Sequence, residues 1–206
     1  MDAATLAHLT KADPILGRLI QRVGPSTFKP HRRRSPYESL VRAVANQQLS
    51  GQVANAILGR LIASFPGQTF PCPEDLMSAP DEKLRSAGFS RAKCASIRDI
   101  ALKTVEGVVP KRRQMIRLSD EEIIDRLTAI RGVGRWTVEM LLIFTLGRPN
   151  VLPVLDLGVR KGFAVTYNLD DLPTSKDLLE QGRVWEPFRT TASWYLWRAL
   201  DQPGGV

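Results

Sequence analysis

Between Ser119 and Gly147 two helical patterns meet with only Gly132-Val133-Gly134 between them. Upstream, Ile123, Leu127 and Ile130 share one face of a helix, and Ser119 with Glu122 three residues on makes a capping box at its start. Downstream, Trp136, Met140, Ile143 and Phe144 trace a second apolar face, and Gly147 stands where that helix would stop. So short a link forces a hairpin, and glycine permits the positive φ and close backbone approach that a hairpin needs. The second helix then begins with backbone N–H groups that have no partner inside it. Those groups and the helix dipole suit a phosphate, and Arg131 and Arg135 add charge on either side. An ordinary helix–turn–helix corner carries the same local signature.

The pattern is helical almost throughout. Pro14 to Val23 reads as a short helix with Asp13 as cap and Gly24 as stop. In SPYESLVRAVANQ, Ser35 caps, Pro36 takes the first helical position, Glu38 closes a capping box, and Leu40, Val41 and Val44 face inward. Ser50 caps the next helix, where Val53, Ile57, Leu58, Leu61 and Ile62 form a core stripe. FPCPEDLMSAPDEKLRSAGFS reads as two short helices. Ser90 to Glu106 is a longer one, with Ile97, Ile100, Ala101 and Val105 apolar. Thr174 to Gln181 and Pro187 to Leu200 read as closing helices. His31 to Arg34 and Lys111-Arg112-Arg113 read as basic loops. No run of alternating strand pattern stands out, so the fold class is all-α.

At 206 residues the chain holds one or at most two domains and a sizeable core. Twenty-nine Lys and Arg against 21 Asp and Glu leave a net charge of +8, which suits a polyanion such as nucleic acid. Simple solubility has the same signature. The chain contains neither an 18-residue apolar run nor a signal-peptide pattern, so no membrane or secretory role is expected. Cys72 and Cys94 form no metal motif and read as reduced thiols of an intracellular protein.

The hairpin, the loop GRPNVLPV behind it and Asp156 at the next helix start together resemble the helix-hairpin-helix (HhH-GPD) DNA glycosylase superfamily. ANQQLS extends the resemblance, which spans about Pro36 to Trp197. The branch it most looks like is the AlkA-type 3-methyladenine DNA glycosylases. The resemblance implies one glycosylase domain over residues 1–206 in two helical subdomains. One would take about 1–34 plus 140–206. The other would take 35–139, including the hairpin at 127–139, with the active-site cleft between them. The stretch before Ser35 is too short for the extra N-terminal β-rich domain of some relatives. The implied reaction is hydrolysis of the N-glycosidic bond of alkylated purines (3-methyladenine and 7-methylguanine type) in damaged double-stranded DNA, in base excision repair.

Such a reaction passes through a transition state with positive charge on the sugar, which a nearby carboxylate stabilises. Asp156 matches the family's catalytic aspartate. It also reads as an N-cap for Leu157 to Val165, and the two roles compete for its lone pairs. Asp170 and Asp171 look like turn or cap residues. Trp136 stands where bifunctional relatives carry a lysine, and an indole forms no Schiff base. The resemblance therefore implies a monofunctional enzyme without lyase activity. An aromatic face also attracts a cationic base. Trp197 matches a second pocket aromatic, with Tyr37, Trp185 and Trp194 as further candidates. Core packing is the alternative for each.

The target base must leave the stack. Gln48 matches the family's wedge and Gln47 the glutamine before it; a polar interhelix turn is the alternative. The backbone of the duplex would meet Arg131, Gly132, Gly134, Arg135 and Thr137. Carbonyls of Thr128, Ile130 and Val133 match a family site for a monovalent cation, sodium or potassium, that bridges to a phosphate. Arg131 stands where the family often has proline. Endonuclease III-like relatives carry a four-cysteine iron–sulfur motif near the C-terminus. Here no cysteine follows Cys94, so no cluster is expected, and no cofactor for catalysis.

The expected state is a monomer in the cytoplasm, nucleoid-associated in a bacterium and nuclear in a eukaryote. Two other functions fit parts of the pattern: a non-enzymatic helix-hairpin-helix DNA-binding module, and a glycosylase for another damaged base. The first has no need of Asp156 or of Gln47-Gln48.

Overall fold

Cap chemistry sets most of the helix starts. The computed structural model describes residues 3–201 and contains, among them, thirteen α-helices, one five-residue π turn and no strand. The helices are α1 (Ala3–Ala12), α2 (Pro14–Val23), α3 (Pro36–Asn46), α4 (Gly51–Ala63), α5 (Pro73–Ser78), α6 (Asp81–Ser86) and α7 (Arg91–Val105). They continue with α8 (Arg112–Met115), α9 (Asp120–Thr128), α10 (Arg135–Leu141), α11 (Leu157–Tyr167), α12 (Ser175–Gln181) and α13 (Arg189–Ala199). The hydroxyls of Ser35, Ser50, Ser90, Ser119 and Thr174 each accept the amide three residues on, at the starts of α3, α4, α7, α9 and α12. Each such bond satisfies one amide that the helix itself leaves unpaired.

The chain divides into two compact units. His31–Leu146 is one; what precedes and follows it makes the other. The discontinuous unit contains α1, α2 and α11 to α13. Its core includes Leu9, Leu16, Leu19, Phe163, Trp185 and Tyr195, each side chain worth about 1.5–3 kcal/mol when fully buried. Helices α11 and α13 cross at Gly162, where an added Cβ would collide with the Leu196 carbonyl.

Asp13 ties the unit's two sequence halves together. One of its oxygens caps α2 through the amides of Ile15 and Leu16. The other accepts from Trp185 Nε1 at 2.8 Å, Gln181 Nε2 at 2.9 Å and the Tyr167 hydroxyl. Burial pushes this carboxyl's pKa up, but the bonds from Tyr167, the Leu16 amide, Trp185 and Gln181 together hold it below the ordinary aspartate value.

In the His31–Leu146 unit α3 is central, with its buried face of Leu40, Val41 and Val44 against α7 and α10. Helix α5 also lies on α7.

Several details differ from the sequence reading. Glu38 does not close a capping box; its carboxylate takes Arg42 Nε at 2.8 Å, an i,i+4 pair. Val53 and Val105 point outward, at 46% and 53% exposure, because their helices bury only one narrow face. Lys111-Arg112-Arg113 opens α8, whose Arg112 donates to the Thr145 carbonyl at 2.7 Å.

The second hairpin helix buries Thr137, Val138, Leu141 and Leu142, whereas Trp136, Met140 and Phe144 are only half-buried. The π turn Leu142–Leu146 inserts an extra residue per turn, which rotates the face that a 3.6-residue period would assign to Phe144; Trp136 and Met140 precede it. The same helix stays with the hairpin's unit to its end, and the two compact units divide after Pro30 and after Leu146.

Candidate active site and DNA interface

The loop after Gly147 is pinned to the start of α13. Thr190 Oγ1 accepts the Val151 amide at 3.0 Å, the Thr190 amide donates to the Pro149 carbonyl, and Arg189 Nε donates to Asn150 Oδ1 at 2.8 Å. Val151, Leu152 and Pro153 are buried, and the Asp156 amide donates back to the Pro153 carbonyl at 2.9 Å. This delivers Asp156 to the N-cap of α11, where Oδ1 accepts the Val159 amide at 2.8 Å. The capping role read from the sequence is thus present.

The same oxygen accepts the Trp197 indole N–H, also at 2.8 Å. Helix α13 therefore both pins the loop and steers the carboxylate. Gly158 makes the approach possible: a Cβ there would lie 2.8 Å from Trp197 Cδ1 and 3.0 Å from Asp156 Oδ1. Asp156 is half-buried between two exposed leucines, Leu155 at 60% and Leu157 at 53%.

The other candidate aromatics occupy different settings. Trp185 is fully buried and donates to Asp13. Tyr37 is buried, edge-on to Phe70, with its hydroxyl on the Pro71 carbonyl at 3.2 Å. Trp194 is half-buried and edge-on to Tyr195, with Arg198 over its face. Trp136 is half-buried at the second position of α10. Asp170 and Asp171 lie exposed in the loop after α11.

At the hairpin, Arg131, Gly132, Gly134 and Arg135 are exposed, while Val133 and Thr137 are buried. Gly132 has φ +73°, and a Cβ there would strike the Ser96 hydroxyl. Gly134 has φ −95° and nothing within 4 Å of its missing Cβ. Arg135 does not offer a bare charge: its guanidinium forks onto Glu121, with Nη1 at 2.9 Å, and its Nε reaches Glu139 at 3.2 Å. It staples α9 to α10 across the hairpin. Thr137 Oγ1 accepts from Gln47 Nε2 at 3.0 Å, as does the Gly132 carbonyl. Gln48 follows, exposed and at φ +57°.

Three residues of α7 escaped the sequence reading. Lys93 Nζ donates to the carbonyls of Ala45 at 3.0 Å and Gln47 at 2.8 Å. Ser96 lies beneath Gly132. Asp99 accepts the Arg131 amide at 2.7 Å. Their spacing of three puts them on one helix face. That polar stripe, on a helix whose other face is apolar, was the signal to follow.

A helical protein with a Gly-x-Gly hairpin and a capping aspartate delivered by a proline-bounded loop has the parts of a base-excision DNA repair protein. The model described as HhH-GPD superfamily base excision DNA repair protein matches residues 41–187, and the chain belongs to that superfamily. It is 43% identical over 194 residues to DNA-3-methyladenine glycosylase 1 of Schizosaccharomyces pombe, covering 93% of this chain and 84% of that one. It is 32% identical over 172 residues to a putative DNA-3-methyladenine glycosylase of Bacillus subtilis, covering 81% and 60%. Among solved structures, a 3-methyladenine DNA glycosylase of S. pombe in complex with abasic DNA superposes with a TM-score of 0.93 at 41% identity, covering 98% of each chain. A DNA-3-methyladenine glycosidase of Bacillus halodurans gives 0.81 at 33%, covering 96% and 89%.

Proposed function

We propose that the chain is a monofunctional DNA glycosylase that releases alkylated purines, of 3-methyladenine and 7-methylguanine type, from duplex DNA. The observation that carries this reading is Asp156, a half-buried carboxylate with one oxygen held by both the Val159 amide and the Trp197 indole. Fixed in this way, it is preorganised for charge that develops only in the transition state. As the bond from C1′ to the base nitrogen lengthens, its electron pair leaves with the base and positive charge grows on the sugar. At about 4 Å and an effective dielectric near 20, a carboxylate stabilises a unit positive charge by roughly 4 kcal/mol. That is worth about three decades of rate. Water then adds its oxygen to C1′ and gives up a proton, leaving free base and an abasic site.

Trp136 supports hydrolysis over amine attack, since it provides no nucleophile. Alkylation gives the base a positive charge, which makes it a good leaving group and a fit for an indole face. The glycosylase names of the relatives point the same way.

For the duplex, Gln48 is the plug, Gln47 its support, and the exposed glycines of the hairpin admit a phosphate. Thr128 ends α9 and Ile130 and Val133 follow in the turn. The Ile130 carbonyl accepts the Val133 amide at 3.0 Å and has a second lone pair to offer, and with the Thr128 and Val133 carbonyls it would hold a monovalent cation that adds positive charge for the phosphate. On this reading the protein acts as a monomer in the DNA-containing compartment.

The test is base release from duplexes containing 3-methyladenine, 7-methylguanine, an oxidised base or a deaminated base, with and without alkali. Release of the alkylated purines, with strand breaks only after alkali, is the expected result. Binding without release of any base would make the chain a DNA-binding module. A covalent complex trapped by borohydride would overturn the monofunctional assignment.

A further inference from the structure

Helix α3 ends at Asn46, and the carbonyls of its last turn have no partner inside the helix. Lys93, from α7, fills that gap by donating to the Ala45 and Gln47 carbonyls at 3.0 and 2.8 Å. A cation suits a helix C-terminus, and charge-assisted hydrogen bonds are stronger than neutral ones. Gln47 is thus held twice, its main chain by Lys93 and its side chain by the Gly132 carbonyl and the Thr137 hydroxyl. The next residue, Gln48, has φ +57°. A side chain other than glycine in that region is strained and persists only where its surroundings over-determine it. The surroundings here are the two anchors on Gln47. Burial of the Lys93 ammonium lowers its pKa from the ordinary lysine value, the sign expected of a charge withdrawn from water.

We propose that Lys93 is a positioning residue for base flipping: its ammonium, bound to the end of α3, presets Gln48 in the left-handed conformation from which it enters the duplex. This rests on the reading of Gln48 as the plug. Lys93 touches no reacting atom and acts through the backbone of Gln47. The same α7 face carries Ser96 under Gly132 and Asp99 on the Arg131 amide, so one rigid helix sets the plug loop and the hairpin in register with each other.

The experiment compares Lys93→Met, which keeps the aliphatic stem and removes the charge, with Lys93→Arg and Gln48→Ala. Single-turnover release is measured on a duplex with 7-methylguanine opposite cytosine and on one with it opposite adenine. A mispaired base costs less to extrude. Lys93→Met is therefore expected to slow release roughly tenfold on the paired lesion and clearly less on the mispaired one. Lys93→Arg should recover part of the loss, and Lys93→Met/Gln48→Ala should be no slower than Gln48→Ala alone. A defect in stability would slow both substrates alike, and thermal melts accompany each variant. Lys93→Gln, which keeps a donor, replaces Lys93→Met under the same criteria if the latter does not fold.

Equal loss on both substrates overturns the proposal. So does a uniform fall in duplex affinity with a shallower salt dependence, which is the mark of a phosphate contact. If Gln48→Ala is selective for the paired lesion and Lys93→Met is not, the Lys93 proposal alone fails. If Gln48→Ala is normal on both, the plug reading fails and the proposal with it.

Discussion

The indole N–H of Trp197 and the amide of Val159 meet on the same oxygen of Asp156, each at 2.8 Å. One donor holds α11 to its cap; the other, forty-one residues along the chain, fixes the direction of the carboxylate.

Asp156→Asn keeps an oxygen for both donors and removes the charge. Excision should fall by at least about a hundredfold, with duplex affinity kept or raised because repulsion from phosphate is lost. Trp197→Phe keeps most of the ring and removes one donor to a charged group, an interaction worth about 1.5–3 kcal/mol. Its excision should fall roughly tenfold or more with binding retained. Single-turnover rates and affinities of both variants decide this; near-normal excision by Asp156→Asn would falsify the catalytic assignment.

Gly158→Ala sets helix propensity against packing. Alanine gains up to about 1 kcal/mol in a helix, but its Cβ would press on Trp197 Cδ1 and Asp156 Oδ1 at 2.8 and 3.0 Å, and overpacking costs about 1–3 kcal/mol. Packing should win: excision drops more steeply than melting temperature. Unchanged excision in a protein that melts higher would show that Trp197 can move aside freely.

The two hairpin glycines should fail differently. Gly132→Ala forces alanine to φ +73° and drives its Cβ into Ser96, costing roughly 1–2 kcal/mol from conformation alone. Melting temperature should therefore fall by several degrees, at about 2–4 °C per kcal/mol. Gly134→Ala meets no protein atom, so its melting should be unchanged. Its affinity for every duplex should fall, whatever the lesion, with a salt slope shallower by about one phosphate. Normal binding by Gly134→Ala would remove the hairpin from the DNA interface.

Asp13 makes stability depend on acidity. Its carboxyl lies below its ordinary value of 3.8 in the folded chain. The stability it contributes is therefore fully present above that value and is lost as pH falls through the folded-state pKa. Asp13→Asn should be less stable by about 1–3 kcal/mol at neutral pH, with the gap closing as the wild-type carboxyl protonates below pH 3.8. Thermal melts from pH 7 to 3 measure it, and a gap that stays constant across that range would refute the linkage.

Local chemistry was readable in advance. The caps of α2, α3, α4 and α9 and the capping duty of Asp156 followed from single residues, and the box at α9 from the neighbour three positions on. What escaped depended on partners far apart. Nothing near Lys93 names the end of α3, 46 residues earlier, as its seat. Glu139 stands at the i,i+4 spacing from Arg135, but nothing near Arg135 says that Glu121, on the other side of the hairpin, will claim its guanidinium before a phosphate does. The face of α10 held at Ile143 but not at Phe144, where the π turn after Leu141 breaks the uniform period that hydrophobic spacing assumes.

Asp13 reaches partners 154, 168 and 172 residues downstream, and this orders events on the ribosome. The hairpin and the plug loop belong to a contiguous stretch that ends at Leu146. At about 5–20 residues per second, the helices that seat Asp156 follow several seconds later. Throughout that delay Asp13 has only the cap of its own helix to bind. The stretch proposed to grip a duplex leaves the ribosome before Trp197, and a translation product cut short in α12 would have Gln47, Gln48 and the hairpin without the indole that holds Asp156.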